Sequence, residues 1–236
     1  GSEMCIRDSH SFMMDPNAGL GRTTGNPVYE DQMEGVALWA KGRSVILFNA
    51  ILDAEHRFLK MFAGDYIEAH HEACKFVDEV YGVKIPAQAD ITIASCGGYP
   101  KDINVYQMQK TMDNAVLATK QGGVVILLAE CEEGSGSKVL EETCRTLKTA
   151  DAIEAKLRDR FLIGANKAYA ITRLTKKAHF ILVTGLDRQL AKDMLFDGAV
   201  DTVEEALELA KQYAGDDVHY ILMPTGSLTV PLYRPE

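Results

Sequence analysis

The chain has 236 residues, 47% of them hydrophobic and 25% charged, with a net charge of -9. That balance describes a folded globular protein with sequence enough for one large domain or two smaller ones. It argues against a general nucleic-acid surface, which needs concentrated Lys and Arg, and no apolar run approaches the roughly 18–20 residues of a membrane span.

In chain order, Met4-Cys5-Ile6-Arg7-Asp8-Ser9 resembles the translation of a transposase end sequence used to prepare DNA sequencing libraries. Residues 1–9 are therefore expected to be an artefact outside the fold, with the natural gene beginning upstream. Asp15 to Pro27 is rich in Gly, Pro and Asn and reads as a long shaped loop, either the border of a site or a plain surface connection. Glu30–Ala40 has Met33, Val36 and Ala37 at helical spacing. Two β-rich runs, Ser44–Leu52 and Arg57–Ala63, flank the polar turn Asp53-Ala54-Glu55-His56 and predict a hairpin. Tyr66–Tyr81 reads as an amphipathic helix with Ile67, Ala73, Phe76, Val77 and Val80 as its apolar stripe. His70 and His71 lie on it about 100° apart, a poor arrangement for one metal ion, and are expected to be surface or interhelical polar residues. Gly82 stops the helix, and Lys84–Gln88 reads as a linker.

A second unit begins with the apolar strand Asp90–Cys96. Gly97-Gly98-Tyr99-Pro100-Lys101-Asp102-Ile103-Asn104 then forms a strand-to-helix turn. The glycines permit close approach or positive φ, and Pro100 fixes φ ahead of the helix. Asp102 sits where it could cap that helix, which is expected to run about 15–20 residues, an ordinary length. Tyr106, Gln107 and Lys110 fall in its first two turns, with Gln107 and Lys110 on one face. An amide and an ammonium side by side could grip a small carboxylate; the commoner outcome of such spacing is a turn whose polar groups meet only solvent. Strand Val124–Ala129, helices over about 138–148, 151–158 and 165–176, strand His179–Val183 and a short helix Asp187–Leu195 follow. Val200 falls in a very short strand, Thr202–Ala214 is helical and His219–Met223 is the last clear strand. Apolar strands alternating with helices predict an α/β fold, a mostly parallel sheet covered on both faces, with ligands bound beyond the strands' carboxyl ends.

The cysteines at 5, 74, 96, 131 and 144 are scattered, odd in number and without paired metal spacing, which predicts reduced, mostly buried thiols in a cytoplasmic protein without a secretory signal. Gly134-x-Gly136 lacks the third glycine of a dinucleotide fingerprint, follows an acidic run, and is joined by no phosphate loop elsewhere. It reads as a flexible turn rather than as a backbone cradle for an acidic ligand.

From His10 onward the chain resembles the C-terminal part of the nickel-pincer lactate racemase family. The resemblance is carried by Ser9-His10-Ser11 with Met14-Asp15-Pro16-Asn17-Ala18, by Gly25-Asn26-Pro27-x-x-Glu30-Asp31, and by Ala63-Gly64-Asp65. It continues through Gly97-Gly98-Tyr99-Pro100-x-Asp102-x-Asn104-x-Tyr106-Gln107-x-x-Lys110, Glu133-Gly134-x-Gly136 and Pro224-Thr225-Gly226-x-x-Thr229-Val230-Pro231. Enzymes of that family racemise or epimerise 2-hydroxy acids by removing and returning hydride at the α-carbon, using nickel in a pincer nucleotide tethered to a lysine. Two histidines move the hydroxyl proton. The resemblance implies that His10 ligates the nickel, that Gln107 and Lys110 act in catalysis by holding the substrate, and that Tyr106 lies beside them. At Asn166, ahead of Lys167, relatives often carry an aromatic residue or histidine, so this chain departs there.

The tethering lysine and the acid/base histidines match nothing here; His56, His70, His71, His179 and His219 fall in no family motif. The expectation is a fragment, inactive alone, of a racemase or epimerase: residues 10–85 as the truncated end of an N-terminal α/β domain and 86–236 as a C-terminal α/β domain. Gln107 and Lys110 are expected to face the loop that starts at His10. The alternative is a non-catalytic α/β protein that binds a small carboxylate through Gln107 and Lys110.

Overall fold

A computed structural model describes residues 10–19, 21–53 and 55–233. Internal contacts divide the chain after Tyr81 into two compact units, taken here one at a time. Among the described residues no helix is long and apolar enough to cross a membrane.

The first unit holds a 3-10 turn Phe12–Met14, helix α1 (Pro27–Ala40), strands β1 (Leu47–Leu52) and β2 (Phe58–Gly64), and helix α2 (Tyr66–Tyr81). Helix α1 starts three residues earlier than its apolar spacing predicts. Asn26 caps it by accepting from the Val28 N–H, and Pro27 occupies a first-turn position where a missing N–H costs nothing. β1 and β2 pair antiparallel as the expected hairpin, from Leu47 opposite Gly64 to Leu52 opposite Phe58. The Asp53 carboxylate closes the turn by accepting from the Glu55 and Arg57 N–H groups, both at 2.9 Å. On α2, Ala73 is buried and Phe76 half-buried against Phe62, whereas Ile67 and Val80 are exposed, so the apolar stripe is narrower than its spacing suggests. His70 stacks on Tyr29 of α1 with ring centroids 5.7 Å apart, and His71 Nε2 lies 3.1 Å from the Tyr29 hydroxyl. These are polar contacts between helices, as expected.

The second unit is built on a five-stranded sheet of β4 (Ala89–Ser95), β5 (Thr119–Leu128), β6 (His179–Val183), β7 (Gly198–Val200) and β8 (Tyr220–Met223). Its order is β7-β6-β5-β4-β8, and every neighbouring pair is parallel. The connections carry α3 (Val105–Ala118), then α4 (Lys138–Leu147), α5 (Ala150–Asp159) and α6 (Ala165–Thr175), then α7 (Arg188–Asp193) and α8 (Val203–Ala214). This is the α/β architecture read from the alternating strands and helices. On one sheet face Ile91, Val124, Ile126 and Ile181 pack with Ala206 and Ala210 of α8, all fully buried. The alternate residues point the other way, where α3 lies against β4 and β5.

Three local expectations need correction. Lys84 is not in a linker: Gly82–Lys84 forms a short strand, β3, paired in parallel with β9 (Val230–Leu232) as a separate ribbon. The strand expected over Val124–Ala129 starts earlier: β5 begins at Thr119 directly after α3, with Gly122-Gly123 inside it. A Cβ at Gly123 would stand 2.8 Å from the Asp90 carbonyl oxygen, so the glycine is required by close strand approach. Helix α3 itself has 14 residues, slightly short of the expected range.

Candidate functional site

The turn after β4 and the loop after β5 meet at the carboxyl end of the sheet, and backbone hydrogen bonds lace them together. Cys131 N–H donates to Asp102 O at 2.9 Å and Glu133 N–H to Ile103 O at 2.9 Å. In return Val105 N–H donates to Gly134 O and Tyr106 N–H to Ser135 O, both at 3.0 Å. Two of the orphan N–H groups of the first turn of α3 thus find partners in another loop. Gly134–Ser137 is accordingly a structural turn. Its Ser137 hydroxyl also caps α4 by accepting from the Leu140 N–H at 3.3 Å.

The cap of α3 is Asn104, not Asp102. Asn104 Oδ1 accepts from the Gln107 N–H at 3.0 Å, and its Nδ2 donates to Glu133 Oε2 at 3.3 Å. Asp102 lies too early for the cap; its carboxylate accepts instead from the Glu130 N–H at 3.3 Å. Asn104-Val105-Tyr106-Gln107 has the spacing of a capping box, the signal by which the right residue could have been found. A Cβ at Gly136 would come within 2.5 Å of Asn104 Cγ, so the glycine leaves room for the cap.

On this fixed first turn, Lys110 Nζ donates to Gln107 Oε1 at 2.9 Å. Lys110 and Tyr106 are exposed and Gln107 half-buried, so the amide and ammonium present together to solvent. A third group joins them that the spacing on α3 could not reveal. Lys167 of α6 holds its ammonium 4.2 Å from the Tyr106 ring centroid and donates to Gln109 Oε1 at 2.5 Å. Gln109 donates in turn to Asp113, which is paired with Arg173 at 2.5 Å. Burial pushes the Asp113 carboxyl up despite the cations beside it. Burial also pulls the Lys167 ammonium below the usual lysine range; Asp113 opposes this shift and the nearby Lys110 charge adds to it.

Asn166 turns its side chain to its own helix start, Oδ1 accepting from the Gly164 N–H at 2.9 Å. His10 is an exposed residue of the first unit. Among the described residues no group of three His, Cys, Asp or Glu side chains could hold a metal ion. The described cysteines are all free, with Cys96, Cys131 and Cys144 buried and Cys74 partly so; Cys5 lies outside the described residues. The chemistry available at the α3 site is electrostatic: two ammonium groups and an amide beside an aromatic wall, suited to a small carboxylate.

Residues 84–230 match a family model described as the lactate racemase C-terminal domain. The chain is 32% identical over 232 residues to the lactate racemase of Thermoanaerobacterium thermosaccharolyticum, covering 95% of this chain and 53% of that one. Against the lactate racemase of Lactiplantibacillus plantarum it is 29% identical over 229 residues, covering 94% of this chain and 53% of the relative. The chain thus spans about half the length of the curated relatives it matches. Among solved structures, the lactate racemase apoprotein of T. thermosaccharolyticum superposes with a TM-score of 0.88 at 31% identity, over 97% of this chain and 55% of that one. A Thermotoga maritima protein at 13% identity shares the fold, with a TM-score of 0.65 over 90% of this chain and 55% of its own.

Proposed function

The chain belongs to the lactate racemase family, through its C-terminal domain, and from that premise we propose that it forms part of a racemase or epimerase of small 2-hydroxy acids. The observation that carries the reading is the Lys110–Gln107 pair, 2.9 Å apart on the capped first turns of α3. Lys110 neutralises the substrate carboxylate, and Gln107 hydrogen-bonds a carboxylate oxygen or the 2-hydroxyl. Tyr106 walls the same side and limits how the substrate can turn. Holding the carboxylate fixes the α-carbon and its two faces, the positioning that a racemase needs in order to act on both enantiomers.

The cofactor implied is a nickel-pincer nucleotide, which when bound supplies a hydride acceptor for the α-carbon. Among the described residues no cluster of three metal-binding side chains is available to that group, and of the described histidines only His10 falls in a family motif. One imidazole suits a nickel ion whose remaining donors come from its own pincer ligand, and we assign His10 that position. Loss and return of the hydroxyl proton are assigned to no residue of this chain. Residues 10–85 and 86–236 are proposed as two domains.

The test is racemisation of L-lactate, followed by chiral chromatography, with nickel-pincer cofactor present. It is run on this chain and on a chimera carrying the portion of the T. thermosaccharolyticum enzyme that the chain does not span. Turnover by the chimera, reduced at least about tenfold in kcat/KM by Lys110→Gln, supports the reading. A folded, cofactor-loaded chimera that binds lactate without racemising it would favour the carboxylate-binding alternative.

A further inference from the structure

We propose that Lys167 is a second carboxylate-binding cation of the α3 site, so that the ligand is held between Lys110 and Lys167 beside the Tyr106 ring. The inference rests on the reading of Lys110 and Gln107 given above, and extends it to a residue on another helix. Lys167 lies 58 positions from Gln109 in sequence, yet its ammonium donates to Gln109 Oε1 at 2.5 Å and stands 4.2 Å from the Tyr106 ring centroid. An ammonium has three donors, and Gln109 takes one.

The charges around it are unbalanced. The groups facing Lys167 are Lys110 and Asp113 on α3, with Arg173 on its own helix pairing Asp113 at 2.5 Å. Three cations therefore share one carboxylate, in a chain whose net charge is -9. That carboxylate is also engaged by Gln109, so it does not bridge the two lysines. Two neighbouring ammonium groups repel, and the partial burial of Lys167 strengthens that repulsion because less water screens the pair. An anion between them removes the repulsion and gains a charge-assisted hydrogen bond from each. Lys167 also has the better-defined position: Gln109 and the Tyr106 ring restrain its long side chain, so less rotamer freedom is lost on binding.

The experiment uses the whole chain with lysine labelled at 13Cε, titrated with L-lactate as the probe. A bound carboxylate stabilises the charged form of each lysine it touches, so lactate should shift the Lys110 and Lys167 signals together. Lys167→Gln should weaken lactate binding at least about tenfold, while Lys167→Arg, which keeps the charge, should hold it within about threefold. The titration of the unaltered protein stands even if Lys167→Gln fails to fold. Movement of Lys110 alone, with Lys167→Gln binding normally, would overturn the inference and leave the reading of Lys110 and Gln107 intact. No lactate-dependent change at either lysine would overturn both.

Discussion

Replacing Asn104 by Ala should loosen the turn on which the candidate site is built. The substitution removes the acceptor for the Gln107 N–H and the donor to Glu133 at the same moment. Losing an N-cap costs about 1 kcal/mol, and losing a partly buried side-chain hydrogen bond about 0.5–1 kcal/mol more. The sum, about 1.5–2 kcal/mol, corresponds to a fall of about 3–8 °C in the melting transition of a unit of about 150 residues. Differential scanning calorimetry of the chain measures it on the transition of the unit that contains α3. Asn104→Ser supplies the control, because a serine hydroxyl can still accept from the N–H three residues on but cannot reach Glu133; it should lose about half as much. If Asn104→Ala melts within about 1 °C of the parent, or Asn104→Ser melts as low as Asn104→Ala, the cap is not what fixes the start of α3 and the argument fails.

Other consequences follow from the same geometry. Gly136→Ala should destabilise by about 1–3 kcal/mol in urea unfolding, since φ is +74° there and the new Cβ would stand 2.5 Å from Asn104 Cγ. In the double variant with Asn104→Ala the steric part should vanish, giving less than the sum of the two losses. Asp113 is held above its ordinary pKa by burial, so the native state takes up its proton at higher pH than the unfolded chain. Its effect on stability is therefore fully present below the ordinary carboxylate pKa and is lost as pH rises through the raised value. Asp113→Asn should remove that slope, measurable as urea midpoints between about pH 3.5 and pH 7. Burial pushes the thiols of Cys96, Cys131 and Cys144 up to about 11, about 12 and about 12. Iodoacetamide at about pH 8 should label Cys74 first among the four and reach the other three only in urea, as read by peptide mass spectrometry.

How far the fold was legible depended on where the determining contact lay. The strands of the main sheet announced themselves as apolar runs, because a parallel sheet buried on both faces must be apolar throughout. The ribbon of β3 and β9 did not: each strand has three residues, and Pro231 in β9 argues locally against a strand. It is tolerated because, among the described residues, β9 pairs with β3 alone and keeps its other edge unpaired. The early start of β5 was hidden for a similar reason. Glycine usually punctuates, but here the deciding fact was the Asp90 carbonyl 2.8 Å from where a Cβ would stand, on the neighbouring strand.

The candidate site divides along the same line. Gln107 and Lys110 could be read as partners because three residues on a helix bring two side chains to one face. Asn104 was within reach of the same logic, and Asp102 was preferred only because a carboxylate also suits a helix N-terminus. Lys167 offered no such handle. Its neighbours Gln109 and Tyr106 lie on another helix, and nothing in the spacing of α6 distinguishes it from an ordinary surface lysine. What sets it apart is burial beside a second ammonium, a property of the packing of α6 on α3. A sequence can therefore reveal the half of a candidate site that one helix carries, while a cation contributed by a second helix becomes visible only when the two helices are seen together. Substitutions at Lys167 consequently test the tertiary part of the site, and those at Lys110 and Gln107 the local part. A lactate titration in which Lys110 responds and Lys167 does not would mean that α3 alone makes the grip.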